Sequence, residues 1–543
     1  MAAILTTGTL TAGNSRTFAL APGSALTLTL LPNPRVSVTE TPETVSASGV
    51  GGNAPRSHFL QYGGVFTYGP YPMGGSIVVS NASNSGSTVT WGRKDTTVST
   101  SSDGTSLVSG DGNSLFFSPS GSVLIAGFGD SITDQNSLVN STQSYLYANG
   151  YMTWASILSG GKLTFTDAIN YGTAGDTTTM MVARLSTTLA AIYASGAKYC
   201  VVLAGTNDVY SGVTYAQTIA NLATIYGGFL GLNIVPVIVP ILPRAKDAAS
   251  GSMLTADRQK LQRINNWIRE YARTTPNVVI ADPTLNIVDQ AVTNGDPIGA
   301  LLANTTAYTY DGLHPSARGA YWIGKAISDA LQYRLSGISQ ALWSQIDTYD
   351  ATNNPSGNLL ANGYMTGTGG TNGTGSSGSV ATSWTARRLV GTTGALTCSK
   401  TTVTAGNGTT YPQQTVAFVA TAGSATEELQ VYQQIFPSGT TYAVGDTVYA
   451  ECDVSVSGIT AASFRSIYLK CADDGVDGRI GQPSGAGYMP DSNWSGTMRS
   501  PAFVIKAGTT AITVSMHAQI DGTVASAGVT VNFSRMALRK VGV

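Results

Sequence analysis

The sequence predicts a central α/β domain with a parallel sheet, placed between two strand-rich regions. The chain has 543 residues, and at about 150 residues per domain this length suggests three or four domains. Between about residues 121 and 336, apolar runs alternate with longer helical patterns, whereas the flanks carry short alternating runs separated by Gly, Pro, Asn and Ser. We therefore expect a β-rich domain over 1–118, an α/β domain over 119–338 and a β-sandwich over 339–543.

The N-terminal region shows the period-2 alternation that is typical of strands. Its runs include RTFAL, ALTLTLL, RVSVTE and GSIVVS, and turn-forming residues stand between them. No long amphipathic helix is evident there, so this part is predicted to be all-β.

The central region combines buried strands with helices. The predicted strands are SVLIAGF, KYCVVLAG, IVPVIVPIL and NVVIAD, and the predicted helices are TTTMMVARLSTTLAAIYAS, TYAQTIANLATIYGGFL, ADRQKLQRINNWIREYAR and SARGAYWIGKAISDALQYRL. Continuous apolar strands that alternate with helices favour a parallel sheet covered on both faces.

The C-terminal region returns to strands after a glycine-rich stretch at 366–379. Runs such as TVAFVAT, ELQVYQQIF, TVYAECDVSV and VTVNFSRMAL follow at the spacing of a β-sandwich. We expect a jelly-roll-like sandwich there.

Charge and sequence patterning argue against nucleic-acid binding, a membrane span and a signal peptide. Lys plus Arg is 29 and Asp plus Glu is 30, so the net charge of −1 provides no field to hold nucleic acid. The uncharged stretch 209–243 contains Gln217, Asn221 and three prolines, which favours a helix followed by a buried strand over a membrane span. The first residues lack a basic region and a long apolar run, so no signal peptide is expected.

The four cysteines are too sparse for a metal cluster or a disulfide framework. Cys200, Cys398, Cys452 and Cys471 form no C-x-x-C pair. We expect no metal site and no cofactor.

A candidate nucleophile follows the first strand of the central region. Ser131 comes after a tight Gly129-Asp130 turn, where a helix would begin. A helix N-terminus stabilises negative charge, so a serine there is well placed to act as a nucleophile. The alternative is that Ser131 merely caps the helix.

A candidate base and its partner lie near the end of the same region. The chain has three histidines, and His58 and His517 fall in the strand-rich flanks. His314 lies in the α/β region, three residues after Asp311. A short turn would let Asp311 accept the Nδ1 proton of His314 and leave Nε2 free to take the serine proton. A D-x-x-H pattern alone also arises by chance.

Two further strand ends offer donors for an oxyanion. The turn after TFTDAIN could present the backbone N–H of Gly175, and the turn after VVLAG could present the side-chain amide of Asn207. A helix-capping loop and a polar turn are the structural alternatives.

Four segments, FGDSIT, NYGTAGDT, GTND and DGLHP, occur in this order within the central region. Together they resemble the four consensus blocks of the SGNH hydrolases, also called the GDSL esterase and lipase superfamily. The resemblance implies a flavodoxin-like three-layer α/β/α domain with Ser131 as nucleophile, His314 as base and Asp311 as its orienting carboxylate. It also implies an oxyanion hole formed by Ser131 N–H, Gly175 N–H and the Asn207 side chain. Asp130 is expected to hold the turn.

The flanks suggest the substrate and the setting. Polar β modules around an enzyme resemble bacteriophage tail spikes and fibres, and the opening Asn358–Gly363 is similar to the start of jelly-roll carbohydrate-binding modules. Trp384 and Trp494 could stack on sugars or lie in a sandwich core. We expect a deacetylase of O-acetylated surface polysaccharide, located on a virion tail or outside the cell. A homotrimer is the expected oligomer, and virion tail proteins are the expected partners.

Two alternatives remain open. One is a secreted bacterial carbohydrate esterase or lipase, and the other is a non-catalytic receptor-binding fibre protein.

Overall fold

The computed structural model describes residues 122–541, with gaps at 246–252, 299–307, 336–341, 343, 405–407, 409, 422, 437–441 and 485–488, and the backbone of eight strands before residue 95. The chain divides into two compact units, 1–119 and 120–543. Each unit is described by itself.

In the first unit, the structure describes eight strands, all within the region predicted to be all-β. They are β1 (Thr7–Leu10), β2 (Ser15–Leu20), β3 (Ala25–Leu30), β4 (Arg35–Pro42), β5 (Arg56–Gln61), β6 (Val65–Tyr68), β7 (Gly75–Asn81) and β8 (Val89–Lys94). They form two four-stranded antiparallel sheets with the orders β1-β8-β3-β6 and β2-β7-β4-β5. The segments that connect these strands lie outside the described residues.

The second unit begins with the predicted parallel sheet. Its strands are β9 (Val123–Gly129), β12 (Leu163–Thr164), β13 (Asn170–Gly172), β14 (Tyr199–Leu203), β15 (Val235–Val239) and β16 (Val279–Ile280). The order is β12-β9-β14-β15-β16, and β13 pairs with the end of β9. Every residue of β14 is buried, so both faces of the sheet are covered, as the apolar runs predict.

The four long helices predicted from the sequence are present, one of them divided in two, and the region also contains short helices, two of which were not predicted. The helices are α1 (Ser131–Asp134), α2 (Tyr151–Leu158), α3 (Thr178–Ala183), α4 (Leu185–Ser195), α5 (Tyr215–Gly231), α6 (Thr255–Thr274), α7 (Thr284–Ile287) and α8 (Ala317–Leu331). The pattern over 177–195 predicts one helix, but α3 and α4 are separated at Arg184. The guanidinium group of Arg184 bonds the carbonyl oxygens of Gly129 and Tyr171, and these tertiary contacts accompany the break in the helix.

The stretch 209–243 forms α5 and β15, as the sequence predicts. Among the helices that the structure describes, none is both long and apolar enough to cross a membrane.

The C-terminal region is β-rich, as predicted, and consists mainly of two sheets. Its strands are β17 (Gly369–Asn372), β18 (Ser376–Gly378), β19 (Val380–Val390), β20 (Ala395–Thr404), β21 (Thr410–Ala420), β22 (Glu427–Ile435), β23 (Thr447–Ser457), β24 (Phe464–Ala472), β25 (Asp477–Ile480), β26 (Trp494–Arg499), β27 (Phe503–Val504), β28 (Ile512–Ile520) and β29 (Ala527–Lys540). One sheet has the order β18-β20-β21-β29-β23-β26, with β27 beside β23. Buried side chains such as Phe418, Val431 and Met516 form its core with the second sheet.

The second C-terminal sheet includes a hairpin from the α/β region. Strands β10 (Ser137–Val139) and β11 (Gln143–Leu146) extend it to the order β10-β11-β25-β24-β28-β22-β19-β17, because β11 pairs in parallel with β25. The contact continues on α2, where the rings of Trp154 and Trp494 meet edge to face at 5.1 Å. A Cβ atom at Gly496 would lie 2.3 Å from the carbonyl oxygen of Ile157. The α/β region and the C-terminal sheets therefore pack as one unit.

Both tryptophans considered for sugar stacking lie in the interior. Trp384 is 1% exposed and Trp494 is 6% exposed. Of the two interpretations of these side chains, the core interpretation is correct, because bulky aromatic rings fill the spaces between packed layers.

Candidate active site

Three loops at one edge of the parallel sheet carry the candidate nucleophile and oxyanion-hole residues, Ser131, Gly175 and Asn207. They follow β9, β13 and β14, and β9 pairs directly with both other strands: Gly129 lies opposite Gly172 on one side and opposite Leu203 on the other. Parallel strands end at the same edge of a sheet, which is where ligands bind in open α/β folds. The sheet therefore brings together three segments that are far apart in sequence.

Ser131 is the first residue of α1. The preceding residue, Asp130, is the N-cap, and its Oδ1 accepts a hydrogen bond from Ile132 N over 3.0 Å. Gly129 permits this sharp turn, since a Cβ atom there would lie 2.4 Å from the carbonyl oxygen of Leu203. The backbone thus presents Ser131 directly at the strand-to-helix junction.

The structure brings Ser131, His314 and Asp311 together. His314 Nε2 lies 2.8 Å from Ser131 Oγ, and His314 Nδ1 lies 2.8 Å from Asp311 Oδ2. The side chains of His314 and Asp311 are 21% and 28% exposed, so the group is accessible from solvent. This geometry allows the imidazole to remove the serine proton while the carboxylate fixes the ring.

The turn that carries Asp311 and His314 is held by its own hydrogen bonds. Asp311 Oδ1 accepts from the amides of Leu313 and His314 over 3.0 and 2.8 Å, and Gly312 supplies the positive φ of 87° that the turn requires. Burial alone would raise the pKa of Asp311, but the hydrogen bonds from the ring and amide of His314 hold that pKa well below its ordinary value. Asp311 therefore faces His314 as a carboxylate.

A half-exposed aromatic ring covers one face of His314. The ring of Tyr310 is stacked on the imidazole at 5.6 Å with an interplanar angle of 13°, and 54% of its surface is exposed. Tyr310 is adjacent in sequence to Asp311, but only the turn geometry places it on the imidazole.

The side-chain amide of Asn207 is fixed from two directions. Its Nδ2 donates to the carbonyl oxygen of Asp176 over 2.8 Å, and its Oδ1 accepts from the hydroxyl of Tyr210 over 2.9 Å. A carbonyl only accepts and Nδ2 carries two hydrogens, so one N–H of Asn207 remains for another acceptor. This is the remaining donor that an oxyanion hole requires.

The two backbone donors have suitable local geometry. Ser131 N belongs to the first turn of α1, where amides have no acceptor within the helix. Gly175 is exposed and has a φ of 84°, a conformation that favours glycine. The structure thus places all three donors predicted from the sequence on adjacent loops.

Two positioning residues were missed by sequence reasoning. Tyr210 follows the GTND segment by two residues, and Arg184 lies inside a predicted helix. Arg184 Nε donates to Asp176 Oδ2 over 2.7 Å while its other nitrogens reach the carbonyl oxygens of Gly129 and Tyr171. A helical pattern does not reveal such a contact; the available signal was a single cation in an otherwise uncharged helical segment.

Asp130 is completely buried beside the candidate triad. Burial raises its pKa to about 7, against the lowering effects of the Ile132 hydrogen bond and of the nearby His314. Within the described residues, its Oδ2 atom has no hydrogen-bond partner. Its N-cap bond agrees with the structural role expected from the sequence.

A non-strand segment of the C-terminal region contacts the start of α8, shortly after the His314 turn. Arg318, four residues after His314, is 3% exposed, and its Nε and Nη2 lie 3.4 and 3.3 Å from the carbonyl oxygen of Met489. Its Nη1 lies 3.4 Å from Asp491. The first turn of α8, which follows the His314 turn, therefore contacts the segment that precedes β26.

Comparison with known proteins relates the α/β region to one family. Residues 128–322 match the model of the GDSL-like Lipase/Acylhydrolase family. Residues 123–330 form a GDSL-like α/β domain. The matched segment contains the Ser131–His314 pair and the three loops described above, and the family that it resembles is one of lipases and acylhydrolases.

Solved structures similar to this chain include three bacterial proteins. A GDSL-like lipase from Bacteroides thetaiotaomicron is 20% identical, with 39% of this chain and 89% of that chain covered at a TM-score of 0.30. A lipolytic protein of the G-D-S-L family, described as putative, from Desulfitobacterium hafniense is 17% identical, with 38% and 99% covered at a TM-score of 0.29. An acetyl-xylooligosaccharide esterase from Geobacillus is 18% identical, with 39% and 95% covered at a TM-score of 0.29. No curated protein matches the sequence.

Proposed function

We propose that the GDSL-like domain is a serine esterase that removes O-acetyl groups from a polysaccharide. The observation that carries the proposal is the pair of 2.8 Å contacts from His314 to Ser131 Oγ and to Asp311 Oδ2. The match of 128–322 to an acylhydrolase family supports the same reaction class.

The proposed reaction has two acyl transfers. Ser131 Oγ attacks the ester carbonyl as His314 Nε2 takes the hydroxyl proton, and the oxyanion is held by Ser131 N–H, Gly175 N–H and Asn207 Nδ2. The C–O bond to the sugar then breaks, and His314 returns the proton to the departing sugar oxygen. Water, deprotonated by His314, attacks the acetyl-enzyme and releases acetate and free Ser131.

Two features support a sugar alcohol as the leaving group. Tyr310, half-exposed and stacked on His314, offers an aromatic surface beside the base that receives and returns the proton. The neutral chain supplies no field that would select a polyanionic substrate. The Gly-, Ser- and Thr-rich β flanks support a virion tail or extracellular setting, where a homotrimer and virion tail proteins are the proposed partners.

The test is acetate release from O-acetylated bacterial polysaccharides and acetylated xylan, alongside hydrolysis of 4-nitrophenyl acetate. Ser131→Ala is expected to abolish both activities, whereas the exposed helix residue Ser186 is the matched control, and Ser186→Ala is expected to leave them unchanged. Hydrolysis of the aryl ester alone would show that the protein is a general esterase and that acetylated polysaccharide is not its substrate. Equal activity of Ser131→Ala and the parent protein would refute the catalytic role of the triad. A parent protein without activity on either substrate would favour a binding function.

A further inference from the structure

One face of the sheet that contains β22, β24 and β28 is polar although its centre is buried. Across these strands Gln430 lies opposite His517, and His517 lies opposite Tyr468. Residues that are directly paired on adjacent strands point to the same face, and their neighbours along each strand point into the sandwich core. This polar face is therefore the one directed away from the core.

A buried hydrogen-bond network underlies this face. Glu428 Oε1 lies 2.7 Å from His517 Nδ1, and His517 Nε2 lies 2.8 Å from Ser515 Oγ. Tyr468 stacks on His517 at 4.4 Å and donates its hydroxyl to Glu428 over 2.6 Å. Gln519 donates to the other Glu428 oxygen.

The order Glu428–His517–Ser515 resembles a catalytic triad, but its accessibility differs from that of Ser131. Ser515 is 0% exposed and His517 is 2% exposed, so no ester carbonyl can reach the hydroxyl. Burial lowers the pKa of His517, which keeps the ring neutral between an acceptor and a donor. The network therefore serves to fix the side chains of this face.

The network adjoins a groove of about 330 Å³ through Gln430, which lines the groove and contacts His517. Gln430, 7% exposed, lies with its Nε2 3.4 Å from His517 Nε2, while its Oε1 accepts from Arg387 Nε over 2.8 Å. The guanidinium group of Arg387 in turn covers the ring of Tyr432 at 4.9 Å. The groove is lined in part by Arg387, Gln430, Tyr432, Gln434, Phe436 and Lys470.

The composition of the groove indicates its ligand. The four charged residues of the lining, Arg387, Lys470, Asp473 and Asp474, balance in sign. Both Asp473 and Asp474 already accept hydrogen bonds from loop amides, and Lys470 pairs with Asp477. What remains is a set of planar amide and guanidinium groups beside two aromatic rings, one of them the 64% exposed Phe436. Such a set suits sugar hydroxyls and the apolar face of a sugar ring.

We propose that this groove is a second binding site, separate from Ser131, for a neutral saccharide chain. The side chains of Gln430 and Arg387 are already held by hydrogen bonds, so binding does not have to order these two groups. The groove lies on the same sheet as hairpin β10–β11, which follows the helix of Ser131 after two residues. A polysaccharide held there would raise the local concentration of acetyl esters around the catalytic site. This inference rests on the proposed polysaccharide substrate.

The test measures binding without hydrolysis. The Ser131→Ala protein, as the full chain, is examined by affinity electrophoresis in gels that contain acetylated xylan, saponified xylan, O-acetylated glucomannan or the polyanion alginate. Retardation by at least one neutral polymer is expected, and Tyr432→Ala combined with Phe436→Ala in the same background should weaken it at least tenfold. Val444→Ala, which changes another largely exposed apolar residue, is the matched control and should bind like the Ser131→Ala protein.

Activity measurements separate this inference from the proposed function. In the otherwise native protein, the groove double variant should keep its rate on 4-nitrophenyl acetate and show a raised KM on the acetylated polymer. If no neutral polymer retards the protein, or if the groove variant is retarded as much as the Ser131→Ala protein, the groove is not a saccharide-binding site. This conclusion would hold even if the parent protein releases acetate. If the protein binds no polysaccharide and the groove substitutions disrupt oligomers, the groove is part of a subunit interface instead. Retardation of the Ser131→Ala protein together with an inactive parent protein would support the saccharide-binding groove and refute the proposed esterase function.

Discussion

Tyr210 donates a hydrogen bond to Asn207 Oδ1 over 2.9 Å and thereby determines which way the Asn207 amide points. Asp176 O anchors the opposite end of that amide over 2.8 Å. The remaining N–H is the one that can meet a developing oxyanion, so Tyr210 acts through Asn207 as a positioning residue.

Removal of the Tyr210 hydroxyl should lower kcat with little change in KM. We expect Tyr210→Phe to reduce kcat roughly fivefold, since one neutral hydrogen bond contributes about 1 kcal/mol, and Asn207→Ala to reduce it by about 10²–10³. Steady-state kinetics on 4-nitrophenyl acetate measure both effects, with the exposed Tyr193→Phe as the control. An effect confined to KM would contradict the oxyanion role.

Replacement of Asp311 should affect the base more than the fold. Asp311→Asn retains an acceptor for the turn amides but no longer presents a carboxylate to Nδ1 of His314, and we expect kcat to fall by about 10⁴. Because the pKa of Asp311 is held below its ordinary value, its stabilising contribution is present above the unfolded pKa of 3.8 and is lost as pH falls.

Chemical denaturation at neutral pH provides the check on folding for Asp311→Asn. A variant that unfolds at much lower denaturant concentration than the parent would show that the loss of activity is structural.

Asp130 should make stability depend on pH between about 4 and 7. Its pKa is raised from 3.8 to about 7, so in this range the folded protein holds a proton that the unfolded chain has released. The free energy of unfolding should therefore decrease as pH rises, by up to about 4 kcal/mol from this group. Asp130→Asn should remove that part of the slope, as measured by urea denaturation at pH 4.5 and 7.5; identical slopes would refute the assignment.

Arg318 should contribute to stability through the C-terminal region. Arg318→Ala removes hydrogen bonds to Met489 O and a buried side chain, and we expect a loss of about 3 kcal/mol in the free energy of unfolding. Asp491→Asn is the matched control: its carboxylate is 45% exposed, so the loss should be below about 1 kcal/mol. Equal losses in denaturant unfolding would show that the ion pair, rather than the buried bond, supports the contact.

Much of the GDSL-like domain follows from local sequence properties. Apolar runs specify buried strands such as β14, and the 3.6-residue period specifies α5, α6 and α8, because each signal depends on which face of one element must leave water. The candidate triad was predicted from the ordered set of four segments that resembles the SGNH blocks, because neither the turn before Ser131 nor the D-x-x-H pattern indicates a triad alone.

The tertiary structure decided what no single segment contains. The break between α3 and α4 at Arg184 and the pairing of β11 with β25 involve groups distant in sequence. The orientation of Asn207 depends on the carbonyl of Asp176, 31 residues away, together with the hydroxyl of Tyr210. The burial of Trp384 and Trp494 and the groove beside Arg387 depend likewise on how two sheets pack. The sequence by itself determined the elements and the reacting groups, since periodicity and turn chemistry act locally. Packing determined how they are held, because it is a property of surfaces that meet only in the folded chain.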